Sequence, residues 1–180
     1  QSRSSAASDV YKRQDVKESV KVATTANLAS TYNNGAGTLT ASSNGALSID
    51  GVTVSTNDRV LVKNQTDTKQ NGIYVVTATG DGSNPFVLTR AGDADAASEI
   101  TGGTFTFVEQ GTANSENGFV FTHDGTPTLG TTAITVTQFS GAGQITAGDA
   151  LTKSGNTLNV AVDDSTIEVS SDALQIKTTY

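Results

Sequence analysis

Cysteine, methionine and tryptophan are absent from the 180 residues, and histidine occurs once. Without cysteine there is no disulfide framework, no thiolate nucleophile and no Cys-based metal site. That absence leaves the compartment open, although it suits a protein that must persist outside a cell. Cations are scarce as well: eleven Lys and Arg against eighteen Asp and Glu give a net charge of −7. With no basic tract and no aromatic-basic interleaving, neither nucleic acid nor an anionic membrane surface is an expected partner. No apolar run approaches the ~20 residues a spanning helix needs, so membrane insertion is not expected, and no signal peptide is visible. Aromatics make up 6% and apolar residues 35%, the latter below the roughly 45–50% of an ordinary globular domain. Stability must then come from extensive backbone pairing or from burial against copies of the same chain.

The first fourteen residues have a different character. Ser4, Ser5, Ala6, Ala7, Ser8, Asp9, Val10, Tyr11, Lys12, Arg13 and Gln14 match, codon by codon, the conceptual translation of a transposase adaptor used in sequencing libraries. Residues 1–14 are therefore read as a non-native, disordered segment on a metagenomic fragment and are set aside. Setting them aside removes Arg3, Lys12, Arg13 and Asp9 and leaves a more acidic remainder at −9. The remaining ~165 residues suit one domain with an extension. Tyr180 follows a strand-like repeat with no terminating signal, so the natural termini are expected to lie outside this sequence.

What is abundant is a repeated β pattern. Val62, Lys63, Asn64 and Thr66 lead to Asn71, Gly72, Ile73, Tyr74 and Val75; 46 residues later Val108, Glu109, Gln110 and Thr112 lead to Asn117, Gly118, Phe119, Val120 and Phe121. Residues 86–90 correspond to 134–138 once the offset grows by two. The shared positions are strand apolars and turn formers, so each copy reads as strand, polar loop and a returning strand that Asn71-Gly72 or Asn117-Gly118 helps to start. The expected fold is all-β: a small internally duplicated module, sandwich or barrel-like, over residues 15–143, with halves at about 49–92 and 100–140. Val60, Val62, Ile73, Val75, Phe105, Phe107, Phe119, Phe121, Ile134 and Val136 are its expected core. One short helical turn is predicted within residues 93–99, and irregular structure or a weak hairpin within 29–47.

Composition changes near Gly141. Leu158-Asn159-Val160, Ile167-Glu168-Val169 and Leu174-Gln175-Ile176 recur between Asp, Ser, Gly and Asn. Each triplet places two apolar side chains on one face of a strand too short to bury them within one chain. Stacked copies bury such a face, so residues 144–180 are read as the start of a fibrous β shaft in a homotrimer, cut short at its C-terminal end.

Catalytic patterns are weak. His123 precedes Asp124 and Gly125 without a Gly-x-Ser-x-Gly elbow, and is expected to be a solvated turn residue. Asp93, Asp95 and Glu99 lack the spacing of a calcium loop and read as helix capping, while Asp163 and Asp164 read as a turn. Gly80-Asp81-Gly82 has neither the lysine nor the following helix of a phosphate cradle. No enzyme activity, catalytic residue, cofactor or metal is expected.

The ordered combination of residues 22–28 (Val-Ala-Thr-Thr-Ala-Asn-Leu), 49–52 (Ile-Asp-Gly-Val), 57–66 (Asn-Asp-Arg-Val-Leu-Val-Lys-Asn-Gln-Thr), 71–76, 88–95 (Leu-Thr-Arg-Ala-Gly-Asp-Ala-Asp), 107–112 and 138–143 resembles a module of bacteriophage tail-fibre proteins. Residues 151–160 are similar to shaft repeats that often follow it. The resemblance implies a virion tail component, made in the bacterial host cytoplasm, that helps to build a fibre and to position host attachment. Its implied partners are copies of itself, other tail or baseplate proteins, and bacterial surface polysaccharide or protein. Alternatives are a carbohydrate-binding adhesin module, for which Tyr32 and Tyr180 are the tyrosines left to stack on sugar, or a fragment of a tail-associated polysaccharide depolymerase. Because the polar loops differ between the copies, receptor contact is expected in Asp67, Thr68, Lys69 and Gln70 and in Ala113, Asn114, Ser115 and Glu116.

Overall fold

A computed structural model describes residues 15–140, 147–154, 157–162, 167–171 and 173–176. The segment 1–14, the glycine-rich 141–143, the pair Asp163 and Asp164, and Tyr180 lie outside the described residues. Among the described residues the chain is all-β, with 39% strand and 4% helix, and it divides after Ser140 into two compact units.

In the first unit, β-branched runs bounded by Gly, Asn and Asp form the strands, as pleated half-buried surfaces favour. In chain order these are β1 (Val22–Ala23), β2 (Ser30–Asn33), β3 (Thr38–Ala41), β4 (Ser48–Ile49), β5 (Val52–Thr53), β6 (Arg59–Val62), β7 (Gly72–Ala78), β8 (Val87–Arg90), β9 (Phe105–Phe107), β10 (Gly118–Phe121) and β11 (Val136–Gln138). Strands β6, β7 and β8 make an antiparallel meander, in which Val60 faces Tyr74 and Tyr74 faces Arg90. β1 joins one edge parallel to β6, and β3 and β2 extend the other, giving the order β1-β6-β7-β8-β3-β2. Of the two alternatives for residues 29–47 the hairpin is the one that forms, β2 pairing with β3 between Ser30 and Ala41. A second meander has the order β11-β10-β9, with Thr106 facing Phe119 and Phe119 facing Gln138.

Both Asn-Gly pairs stand where a strand starts, since Gly72 opens β7 and Gly118 opens β10. Their registers differ by one residue. Gly72 pairs with Val62, whereas Gly118 pairs with Phe107 and Asn117 stands opposite Val108, whose N–H donates to the Asn117 carbonyl at 2.9 Å. The second loop closes one residue sooner, through Glu116 in the left-handed region at φ 61°, whose N–H donates to the Val108 carbonyl.

Two apolar layers flank the six-stranded sheet. Its front face, with Val22, Leu39, Val62, Tyr74 and Leu88, is covered by Leu47, Ile49 and Val54 around the β4–β5 hairpin. Its back face, with Leu61 and Ile73, meets Phe119, Phe121 and Ile134 of the second meander. Six of the ten expected core residues are buried, while Val75, Phe105 and Val136 are half-buried. Phe107 departs most from expectation, at 45% exposed. The inward positions along this segment belong to Thr104, Thr106 and Val108. Both threonine hydroxyls are satisfied by the N-terminal strand, through the Asp15 carboxylate at 2.7 Å and the Glu18 carbonyl at 2.9 Å. The predicted helical turn shrinks to a single 3₁₀ turn over Ala97–Glu99, where the Glu99 carboxylate accepts from the Ala96 N–H.

Two stitches join the meanders. Residues 15–24 run parallel to the first strand of each, bridging Val16 to Phe105 and Val20 to Val108 before β1 pairs with β6. The second stitch is Asp50, at the tip of the β4–β5 hairpin, where Asp50 (φ 50°) and Gly51 (φ 79°) form the two-residue turn that Asp-Gly favours. The Asp50 carboxylate accepts from the Ala113 N–H, the Asn114 N–H and the Asn114 amide, and its carbonyl accepts from the Thr112 N–H.

The second unit contributes two hairpins: β12 (Leu151–Ser154) with β13 (Thr157–Val160), and β14 (Ile167–Ser170) with β15 (Ala173–Ile176). In the register of β14 and β15, Ile167 faces Ile176 and Val169 faces Leu174, so four apolar residues share one face. Ile176 is 80% exposed.

Hydrogen bonds to a charged group, of the Asp50 kind, contribute a net of about 1.5–3 kcal/mol each. Asp50→Ala is expected to lower unfolding free energy by about 2 kcal/mol. Urea denaturation followed by circular dichroism checks this, and a change below a few tenths would remove Asp50 as a stitch.

Candidate functional site

Strand alternation puts Arg90 on the same inward face as Leu88, at the end of β8. A charge there must be satisfied locally, and Arg90, 5% exposed, draws two carbonyl partners from one loop and a hydroxyl from β2. Nη2 donates to the Lys69 carbonyl at 3.2 Å, Nη1 to the Asn71 carbonyl at 3.2 Å, and Nε to the Tyr32 hydroxyl at 3.1 Å. The guanidinium also lies 5.0 Å from the Tyr74 ring centroid and 5.5 Å from that of Tyr32. Gly72 is required beside it, because a Cβ at that position, where φ is 153°, would sit 2.3 Å from Nη1.

The loop so held is a 3₁₀ turn over Thr68–Gln70. Its carbonyls are all engaged: Thr68 accepts from the Ile134 N–H at 3.2 Å, Lys69 from Arg90, and Gln70 from the Tyr74 hydroxyl at 2.6 Å. Asn71 closes the turn by donating its amide to the Ile134 carbonyl and accepting from the Gln65 N–H. Burial pushes the Tyr74 phenol well above its ordinary value near 10, against the opposing pull of Arg90.

Two polar hollows lie nearby, one beside Arg90 and the other against the turn itself. One, of about 320 Å³, lies between Tyr32, the β2–β3 turn at 34–37, Arg90, Asp95 and Leu129. The other, of about 450 Å³, is bounded by Asn27, Leu28, Ser30, Gln65, Asp67 and Gln70. Gln65 is fixed at the wall of the second, accepting from the Leu28 N–H at 2.7 Å and donating to the Leu28 carbonyl and Ser30 hydroxyl. Such rigid hydroxyl, amide and carboxylate groups can recognise a hydroxylated ligand by hydrogen bonding.

Of the residues expected to contact a receptor, Asp67 and Gln70 line the second hollow and Thr68 and Lys69 line neither; Asp67 is exposed and paired to Lys69 Nζ at 2.9 Å. Ala113, Asn114, Ser115 and Glu116 form a separate loop tied to Asp50. Asn114 is buried, its amide donating to the Ala23 carbonyl, so in this loop only Ala113 and Glu116 are exposed. His123 is no solvated turn residue: it is 8% exposed, with Nε2 2.7 Å from the Ile100 carbonyl and its ring edge-on to Phe121. Asp93 is taken by Arg59, which donates to both its oxygens at 3.0 and 2.9 Å. Among the described residues no three of His, Cys, Asp and Glu converge as metal ligands. No described helix is long and apolar enough to cross a membrane. Comparison of the chain with protein-family models, curated proteins and solved structures finds no match.

Arg90→Met would leave two carbonyls and the Tyr32 hydroxyl without their donor, at an expected cost of about 3 kcal/mol. Arg90→Lys is expected to recover little of it, since one ammonium cannot span the three acceptors. Chemical denaturation of both variants checks this. Tyr74 sets a pH dependence as well. Its folded phenol is shifted upward, so the stability it contributes is complete below pH ~10 and is lost as pH rises beyond that through the folded value. Wild-type stability should therefore decline above pH 10 more steeply than that of Tyr74→Phe, and parallel curves would refute the assignment.

Proposed function

We propose that this chain is a structural module of a bacteriophage tail fibre, an internally duplicated β scaffold followed by the start of a trimeric shaft, which helps to position host-receptor binding. The observation that carries this reading is the second unit. Val169, Leu174 and Ile176 lie on one face of a two-stranded hairpin and are 55%, 56% and 80% exposed, a face that becomes stable only when another chain covers it. The like strand order and antiparallel direction of the two meanders, despite a one-residue difference in register, support the duplication, and the ordered sequence resemblance supports the tail-fibre assignment. Rigid turns, backbone-rich stabilisation and an acidic surface suit a part that holds shape in a virion and docks on other tail or baseplate proteins.

A second reading, as a carbohydrate-binding module, is favoured by the hollow beside Tyr32, where one aromatic ring adjoins Asn34 and Asp95. The two readings are compatible if the fibre contacts bacterial surface polysaccharide through this wall.

The full chain is expected to sediment as a trimer at tens of micromolar, and Leu174→Glu with Ile176→Glu to weaken that assembly while the first unit stays folded. A wild-type monomer across that range would sink the fibre reading. Retention of labelled bacterial polysaccharide by the wild type, lost in Tyr32→Ala, would promote the second reading.

A further inference from the structure

We infer that Asn34 is a self-modifying position: the backbone nitrogen of Gly35 displaces its side-chain amide as ammonia, assisted by the Tyr32 hydroxyl, and leaves aspartate or isoaspartate at the wall of the hollow beside Tyr32. The proposal goes beyond the fibre reading and stands without it. The sequence holds four Asn-Gly pairs, at Asn34, Asn44, Asn71 and Asn117. Such pairs are the most open to this reaction, because glycine has no side chain to shield its nitrogen. The fold treats the four differently.

Three are restrained. Asn71 is 1% exposed, with Oδ1 accepting from the Gln65 N–H at 3.0 Å and Nδ2 donating to the Ile134 carbonyl at 2.9 Å. Asn117 is 7% exposed; its Nδ2 donates to the Ala113 carbonyl, and the Gly118 N–H that would attack it donates to the Ser140 hydroxyl. Asn44 is exposed, but the Gly45 N–H donates to the Asn84 carbonyl at 3.3 Å. Asn34 and Gly35 are both exposed, in the turn between β2 and β3. There the Gly37 N–H donates to the Asn34 carbonyl at 3.3 Å and the Ala36 N–H to Asn33 Oδ1 at 3.2 Å. The Gly35 N–H has no acceptor among the described residues.

The Asn34 carboxamide is also polarised. The Tyr32 hydroxyl accepts from Arg90 Nε at 3.1 Å, so its own proton goes to Asn34 Oδ1, 3.2 Å away. A donor at Oδ1 draws electrons from Cγ and stabilises the oxyanion that forms there, and the permanent charge of Arg90 behind the phenol strengthens it. The carboxamide rests against the bare backbone of Gly130, where a Cβ would lie 2.2 Å from Asn34 Cγ, which helps to keep it turned toward Tyr32.

Hydroxide takes the Gly35 amide proton, the nitrogen bonds to Asn34 Cγ, and the Cγ–Nδ2 bond breaks. The departing nitrogen takes a proton from water and leaves as ammonia, which regenerates hydroxide. Water then opens the resulting succinimide at either carbonyl, with no change of oxidation state. Either product replaces an amide by a carboxylate, which joins Asp95 among the groups lining the hollow. The hollow therefore gains a negative charge as the protein ages.

The full chain, incubated at mildly alkaline pH and sampled over days, can be digested and read by tandem mass spectrometry, which places each conversion of amide to acid. Asn34 should convert several-fold faster than Asn44, while Asn71 and Asn117 should convert only in urea, where all four should react at similar rates. Tyr32→Phe should slow conversion at Asn34 and leave Asn44 unchanged; Gly35→Ala should nearly abolish it at Asn34. If Asn34 of the folded wild type outlasts Asn44, or survives as long as Asn71, the proposal is overturned, and this comparison needs no variant to fold. Conversion at Asn34 that Tyr32→Phe leaves unchanged or quickens overturns the assistance by the phenol.

Discussion

The guanidinium of Arg90 is the interaction around which the first unit is organised. A buried cation is tolerated only where its donors are satisfied, and here they are met by a phenol and by carbonyls of a single loop. That requirement reaches outward in steps: Gly72 must lack a side chain, the turn over Thr68–Gln70 must present its carbonyls inward, and Tyr74 must close over the cation. Arg90 and its partner Tyr32 line the first hollow, and Gln70, whose carbonyl is held by Tyr74, lines the second.

Elsewhere the scaffold compensates for a small apolar content by spreading backbone pairing widely. The front layer is capped by a hairpin whose tip reaches across to the loop at 112–114, and the back layer is closed by the second meander. In each case the polar connection is made by a group that also ends or turns a strand. Asp50 supplies both the left-handed turn and the carboxylate, so one residue fixes a local bend and a long-range contact.

Much of the strand content was legible in the sequence. Val60-Leu61-Val62, Ile73-Tyr74-Val75-Val76 and Phe119-Val120-Phe121 are β-branched or aromatic runs between turn formers, and each forms a strand. The facing of β9 was not legible. Phe-Thr-Phe alternates either way, and the inward choice of Thr106 is set by the Glu18 carbonyl, 88 residues distant in sequence. His123 was misread for a related reason: its acceptor, the Ile100 carbonyl, is supplied by a remote turn, so nothing near it in sequence announces burial. The one-residue register slip follows from the left-handed Glu116, a conformation that residue type does not advertise. At the candidate site, the loop 67–70 was selected for variability alone. A signal for its anchor was present nonetheless, since Arg90 stands two residues after Leu88 and so on the buried face of its strand.

The N-terminal strand has a consequence for how the chain comes to be folded. Residues 15–24 leave the ribosome before their partners, Arg59 to Leu61 and Phe105 to Val108, so the strand waits for most of the first unit to be made. Both pairings are parallel and non-local, the kind of contact that closes late and slowly. Until it closes, the hydroxyls of Thr104 and Thr106 lack their acceptors and the edges of β6 and β9 stand open. An incomplete chain therefore carries open edges until its last partner strand has been made.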